Sequence, residues 1–241
     1  MKRQLSLLTA LSLLLASGCA TTQGSGAASG ESTERTAMEA RQLVERSRLT
    51  LESFAADQQI GGDFRALMKR AKGLVVAPQV LRGAFIFGVS GGSGVFLARD
   101  DKGGRWNGPA FYTIGEVSFG LQAGGEASEV VLLAMTDRGV AALLSDSVKL
   151  GGQVGVAAGP VGLGAAAATA NLSADILSYS RSKGLYGGVS VDGAVVAKRD
   201  SLNRAYYGKD VTPTDILVRR AVTNPESTPL VQAVAKLGGG S

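Results

Sequence analysis

The chain has 241 residues, a formal net charge of +5 at neutral pH, 34 glycines, one cysteine and no histidine. The lack of histidine excludes histidine-based catalytic triads and histidine-ligated zinc, and a single thiol excludes an intramolecular disulfide. An apolar content of 45% supports a real buried core, and the mild positive charge does not demand a nucleic-acid partner.

Residues 1–18 have the pattern of a secretory signal peptide. Lys2 and Arg3 precede an apolar run that is too short, as a helix, to cross a bilayer core of ~30 Å. Small residues then lead to Cys19, in a pattern that resembles a bacterial lipobox, although Ala16 stands where leucine is usual. In a lipobox the cysteine receives a diacylglycerol and becomes the first mature residue. We favour acylation of Cys19; the alternative is an ordinary secreted protein with a stray thiol.

The residues after the cysteine predict where the protein is anchored. Ala20, in place of an aspartate, is typical of lipoproteins that are sorted to the outer membrane. Residues 19–33 are rich in small and polar residues without periodicity, which predicts a flexible tether. We therefore expect a bacterial envelope protein that is lipid-anchored in the outer membrane and faces the periplasm.

Residues 34–60 are predicted to form an N-terminal helix that ends near Ala56. Apolar and small residues recur at three- and four-residue spacing from Ala40 to Ala55, as on one face of a helix. The segment has more acidic than basic residues, so it is not a basic membrane-surface helix. We expect the apolar face to pack on the domain.

Residues 61–220 are predicted to form the main domain, which begins with a short helix and a buried strand. Asp63 is a candidate N-cap for a helix through Lys69. The apolar run GLVVAP predicts a strand that ends at Pro78, because proline cannot donate to a strand ladder.

The rest of this domain alternates strand-like runs with glycine-rich turns. The polar connection at 100–107 and the SKG turn at 182–184 predict hairpins, and the Gly/Ala-rich run at 149–170 predicts two tightly packed strands. Short helices are predicted after Thr136 or Asp137 and in two later segments, and residues 221–241 form a tail with helical character. We predict an α+β fold with antiparallel, strongly curved, glycine-rich sheets, an N-terminal helix and short packing helices.

The glycine-rich runs do not match nucleotide-binding loops. The run GVSGGSG at 88–94 lacks the Lys-Ser/Thr of a Walker A loop, and it leads into a strand where a dinucleotide fingerprint opens a helix. We interpret these glycines as structural. No spacing among the acidic residues requires acid–base catalysis, so we predict no enzyme, no cofactor and no metal site. The acidic residues considered are Glu116, Glu126, Glu129 and Asp175.

A set of motifs occurs in order between Asp63 and Leu217. They are KGLVVAPQV (72–80), GVSGGSGVFLAR (88–99), RWNGPAFY (105–112), SFGLQAGGEASEVVLL (118–133), AAGPVG (157–162), YSRSKGLYGGVSVDG (179–193) and YYG (206–208). In order and spacing they resemble the SYLF domain family, most specifically in SRSKGLYGG after GPVG. The resemblance implies an α+β domain dominated by antiparallel strands.

The same resemblance implies lipid binding. Eukaryotic relatives bind phosphoinositides and some bind or bundle actin, whereas bacterial relatives are often secreted or lipid-anchored. Because a bacterial envelope normally offers neither actin nor phosphoinositides, we carry over only an anionic phospholipid head group as the expected ligand.

Two basic groups are the candidate lipid-binding site, one in and after the first short helix and one at the later hairpin. They are Arg65, Lys69, Arg70, Lys72, Arg181 and Lys183. Each Lys or Arg near an anionic surface adds about 1 kcal/mol of attraction. One alternative is that these are ordinary solvated charges. Another is a structural adaptor that binds another envelope protein through the stripe at 34–56 or the tail at 228–237.

We predict that Cys19 is the acylated N-terminal residue of the mature protein. Intact-mass analysis of protein extracted from bacterial membranes should show residues 19–241 with an added acyl mass, because a lipobox cysteine is modified before cleavage. Cys19→Ser should remove that mass and release the protein from the outer-membrane fraction. A native protein without acyl mass at residue 19 would contradict the prediction.

Overall fold

The structure is a computed structural model that describes residues 25–84, 87–100, 104–119, 124–159, 174–182, 185–188 and 191–239. The acylation predicted at Cys19 and the role predicted for Lys183 fall outside the described residues. So do residues 160–170, the second half of the strand pair predicted around Gly159 and Pro160.

The described residues contain six α-helices. They are α1 (Ser25–Ala56), α2 (Gly61–Met68), α3 (Asp137–Leu144), α4 (Asp200–Tyr207), α5 (Pro213–Leu217) and α6 (Thr228–Leu237), with a 3₁₀ turn at Pro225–Ser227. Helix α1 begins nine residues before Glu34, inside the segment predicted as a tether. Residues 25–33 extend a helix that the packed stripe already nucleates, so a glycine- and serine-rich composition did not indicate that they are helical.

Nine strands within the described ranges form one curved sheet. They are β1 (Gly73–Ala84), β2 (Phe87–Arg99), β3 (Trp106–Phe119), β4 (Gly124–Ala134), β5 (Ser147–Lys149), β6 (Val156–Ala158), β7 (Ile176–Ser182), β8 (Leu185–Gly188) and β9 (Val195–Lys198). Their order is β5-β9-β3-β2-β1-β4-β7-β6, and β8 pairs with β7 beyond the end of β6. All pairs are antiparallel except β6 with β7. The predicted fold class is confirmed.

The sheet is buried on both faces. On β1, Leu74 and Val76 pack with the apolar residues of α1, α2, α4 and α6, whereas Val75 and Ala77 face a second core with α3, α5, β5 and β9. This explains why β1 is a continuous apolar run rather than an alternating one. The predicted stripe of α1, from Ala40 to Ala55, is buried in the first core, so the expectation that it packs on the domain is confirmed.

Strand β1 does not end at Pro78, as the sequence predicted, but passes through it in a bulge. The register shifts between Val76 and Gln79 against β2, and between Ala77 and Val80 against β4. Because both neighbours skip this position, the missing proline N–H leaves no ladder bond unmade. A central strand therefore tolerates a proline.

Glycines on β2 make room for this bulge. A Cβ on Gly92 would lie 2.2 Å from the Gln79 carbonyl oxygen, and one on Gly94 would lie 2.7 Å from the Val76 carbonyl oxygen. Real Cβ atoms do not approach backbone so closely. The interpretation of the run at 88–94 as structural glycine is confirmed for these two positions.

The helix starts follow local capping chemistry. The Thr136 hydroxyl accepts the Gly139 N–H at 3.0 Å and caps α3, as predicted. The prediction for Asp63 is wrong, because α2 already begins at Gly61. The Asp57 carboxylate instead accepts the N–H groups of Gln59 and Ile60, at 2.8 and 2.9 Å, and sets the turn that starts α2.

We predict that Gly92→Ala lowers the free energy of unfolding by about 1–3 kcal/mol, because the new methyl group meets the backbone of the β1 bulge. Gly91→Ala is the matched control, since its nearest neighbour would be the Ile114 carbonyl oxygen at 4.0 Å. Urea unfolding measures both variants. Equal unfolding free energies for the two would remove the steric role assigned to the glycine.

Candidate basic surface

Helix α2 turns its apolar residues into the first core and its basic residues outward. Phe64, Leu67 and Met68 are buried. Arg65 donates from Nη1 to the carbonyl of Ala55, in the last turn of α1. This predicted site residue therefore ties α1 to α2, and its charge is placed at the carbonyl end of a helix, where a cation is favoured.

A hydrogen bond brings the hairpin between β2 and β3 to the end of α2. Arg99 donates from Nη1 to the carbonyl of Lys69 at 2.9 Å and from Nε to the carbonyl of Gly104 at 3.2 Å. Both acceptors are neutral carbonyls, so the guanidinium keeps its net charge. Arg105 follows Gly104 and is exposed beside it.

The end of α6 completes the same surface. A Cβ on Gly239 would lie 3.6 Å from Cγ of Lys69, and one on Gly238 would lie 2.7 Å from Nε1 of the buried Trp106. Lys236, in the last turn of α6, is exposed nearby. We define the basic face as Lys69, Arg70, Arg99, Arg105 and Lys236.

The basic face carries unbalanced positive charge. Within the described ranges, none of its five cations has a carboxylate within ion-pair distance. The neighbouring acids are already bound: Asp100 pairs with Arg220 at 2.7 Å, and Asp137 pairs with Lys72 at 2.5 Å. Lys72 therefore borders the basic face as a neutralised pair.

Arg181 is not placed on this face. It lies on β7, forms an ion pair with Glu129 on β4, and donates to the Ser53 hydroxyl at 2.6 Å. Its guanidinium also lies 6.0 Å from the centre of the Phe54 ring. From the strand register, its backbone is roughly 20 Å from that of Lys72. Arg181 thus joins β7, β4 and α1.

The structure therefore divides the predicted basic site. It brings Lys69 and Arg70 together with three cations that sequence reasoning missed: Arg99, Arg105 and Lys236. These five residues come from the end of α2, the hairpin between β2 and β3, and α6. The sequence therefore has no single run of basic residues that would indicate this surface. The one available signal is the pair of arginines that flanks the polar turn at 100–104.

Two features are absent from the described residues. Among them, no three carboxylate, thiol or imidazole side chains are placed to hold a metal ion. In the same ranges, no helix is long and apolar enough to span a membrane.

The buried Asp175 carboxyl accepts hydrogen bonds from the Thr136 hydroxyl at 2.6 Å and from the Gly155 N–H at 3.1 Å. These hydrogen bonds hold the pKa of Asp175 below its usual value. Asp175 is thus an ionised structural group.

The chain is similar to several eukaryotic proteins. The family model "Ysc84: Las17-binding protein actin regulator" matches residues 115–237. LAS seventeen-binding protein 3 of Saccharomyces cerevisiae is 37% identical over 185 residues, which cover 75% of this chain and 39% of the relative. SH3 domain-containing YSC84-like protein 1 of Homo sapiens is 34% identical over 153 residues, which cover 63% of this chain and 44% of the relative.

The match is to part of each relative. Protein YSC84 of Saccharomyces cerevisiae is 36% identical over 191 residues, which cover 76% of this chain but only 40% of the yeast protein. The chain thus spans about two fifths of the length of these relatives. The family model itself extends from within β3 to the last residue of α6.

Proposed function

The chain belongs to the Ysc84 family, the family of SYLF domains, and on this premise we propose that its basic face binds anionic phospholipid head groups. The observation that carries the proposal is the group of five cations without carboxylate partners among the described residues. Three of the five are arginines, whose planar guanidinium can bind a phosphate through two parallel hydrogen bonds.

The expected attraction is useful but sensitive to salt. At about 1 kcal/mol for each Lys or Arg near an anionic surface, five cations supply roughly 5 kcal/mol before losses in side-chain entropy. Charges on such a surface are screened over ~8 Å at 0.15 M ionic strength. Lys72 and Arg181 add less, because Asp137 and Glu129 already balance their charges, whereas Arg65, like Arg99, donates to a carbonyl and keeps its charge.

We further propose that an acyl anchor at Cys19 holds the protein in the bacterial outer membrane, on the periplasmic side. The lipobox-like sequence and Ala20 support this placement. An anchored domain reaches the bilayer at high effective concentration, so a weak second site is enough to orient it. The anchor would supply residence at the membrane, and the basic face would select anionic head groups.

An adaptor that binds another envelope protein is the second candidate. A yeast relative is named as a binding protein for another protein, which supports this candidate by family. The surfaces first considered for it are occupied, however. Leu43, Leu51 and Phe54 of α1 are buried, and so are Leu230 and Val234 of α6. An adaptor function would therefore use another surface of the domain.

We predict that residues 25–241 float with anionic phosphatidylglycerol vesicles at low salt and less as the salt concentration rises. Lys69→Glu with Arg70→Glu, and separately Arg105→Glu, should weaken binding by about tenfold or more, because each reversal removes attraction and adds repulsion. Neutral phosphatidylcholine vesicles should bind little. Vesicle flotation with quantified bound fractions measures each case.

The matched control reverses two basic residues outside the basic face, Arg204→Glu with Lys209→Glu. If this control weakens binding as much as the basic-face variants do, the attraction is only net charge and no site exists. If nothing floats with anionic vesicles even at low salt, the lipid proposal fails and the adaptor candidate replaces it.

A further inference from the structure

A groove runs between the outer side of α1 and the bulge of β1. It consists of three adjoining hollows of about 180, 260 and 370 Å³, all of which are lined by Arg46 and Pro78. Glu39 lines one end of the groove and Ser53 lines the other end. These two residues are about 21 Å apart along helix α1. We call this feature the Pro78 groove.

The groove has exposed apolar side chains on both walls. Leu49 on α1 and Leu81 on β1 line it, and they are 50% and 54% exposed. The bulge supplies the floor through Pro78, next to Gly91 and Gly92 of β2. Leu49 lines the hollow of 370 Å³ and Leu81 lines the hollow of 180 Å³, so each of these two hollows has one exposed leucine beside the shared Arg46 and Pro78.

The charges in the groove leave one cation unmatched. Glu39 pairs with Arg199 at 2.7 Å, and Glu129 pairs with Arg181 and accepts from the Thr50 hydroxyl at 3.1 Å. The exposed Arg46 meets only the Gln42 carbonyl of its own helix, 3.4 Å from Nε, and has no carboxylate partner within the described residues. The Arg46 charge thus lines both the hollow that contains Leu49 and the hollow that contains Leu81.

We propose that the Pro78 groove binds an extended protein segment of about six residues that carries a carboxylate flanked by apolar side chains. An extended chain advances about 3.3 Å per residue, so six residues fill the length of the groove. The carboxylate would bind the Arg46 guanidinium, and the flanking side chains would cover Leu49 and Leu81. A bilayer is a poorer occupant, since one cation gives only about 1 kcal/mol.

Selection from a random dodecapeptide library tests this proposal, with the full chain in detergent micelles as the target. The enriched peptides should contain Asp or Glu between apolar residues. A labelled synthetic copy of the most enriched peptide then gives dissociation constants by fluorescence anisotropy. Arg46→Glu and Leu81→Asp should each weaken its binding by about tenfold or more.

Two control variants lie outside the groove. Val218→Asp changes another exposed apolar residue, and Arg105→Glu changes the basic face; both should bind the peptide as the unaltered chain does. Urea unfolding should show that Arg46→Glu and Leu81→Asp retain the fold, since both side chains are exposed. A variant that unfolds is replaced by Arg46→Gln or Leu81→Ser.

Three results would overturn the proposal. The first is a selection that enriches no peptide beyond what the Arg46→Glu protein enriches. The second is equal binding of a peptide in which the acidic residue is changed to its amide. The third is a loss of phosphatidylglycerol vesicle binding in Arg46→Glu as large as in Arg105→Glu, which would make the groove part of a membrane surface. The peptide result does not depend on whether the lipid proposal holds.

Discussion

The proline bulge in β1 is the constraint on which the rest of the structure depends. β1 lies between β2 and β4, and its side chains belong to both cores. A bulge bends a strand and increases its twist, and here it also accommodates Pro78 in the middle of a sheet. Gly92 and Gly94 let β2 approach the bulge closely. The close packing of β2 on the bulge therefore accounts both for the curvature of the sheet and for the glycines of β2.

Two surfaces of different chemistry lie on the side of the sheet that α1, α2 and α6 cover. The basic face lies where α2, the hairpin between β2 and β3, and the end of α6 meet, and Arg99 holds the first two together. The Pro78 groove lies between α1 and the bulge of β1, and it has two exposed leucines and one cation without a carboxylate partner among the described residues. The first surface suits a charged bilayer, and the second suits an extended chain.

Sequence reasoning predicted the elements whose signals are local. The Thr136 cap, the buried stripe of α1, the short helices and the curved antiparallel sheet follow from capping chemistry, periodicity and glycine placement. The continuation of β1 through Pro78 was missed because it depends on matching register shifts in two other strands. The early start of α1 was missed because its first residues resemble a linker in composition.

The candidate site was predictable only in part, for the same reason. Lys69 and Arg70 lie in a visible basic run, but Arg99, Arg105 and Lys236 join them only through tertiary contacts. Arg181 belongs to an equally visible motif, yet its charge is matched by Glu129 from another strand. A count of charges in sequence does not show which cations have internal partners.

Hydrogen–deuterium exchange of residues 25–241 with and without phosphatidylglycerol vesicles tests the central claim most directly. If the basic face binds the bilayer, vesicles should slow exchange in the last turn of α2, in residues 99–106 and at the end of α6. Exchange at Pro78–Leu81 and in β7 should stay unchanged. Slower exchange confined to the groove or to β7 and β8 would contradict the account, because the bilayer would then meet the opposite part of the domain.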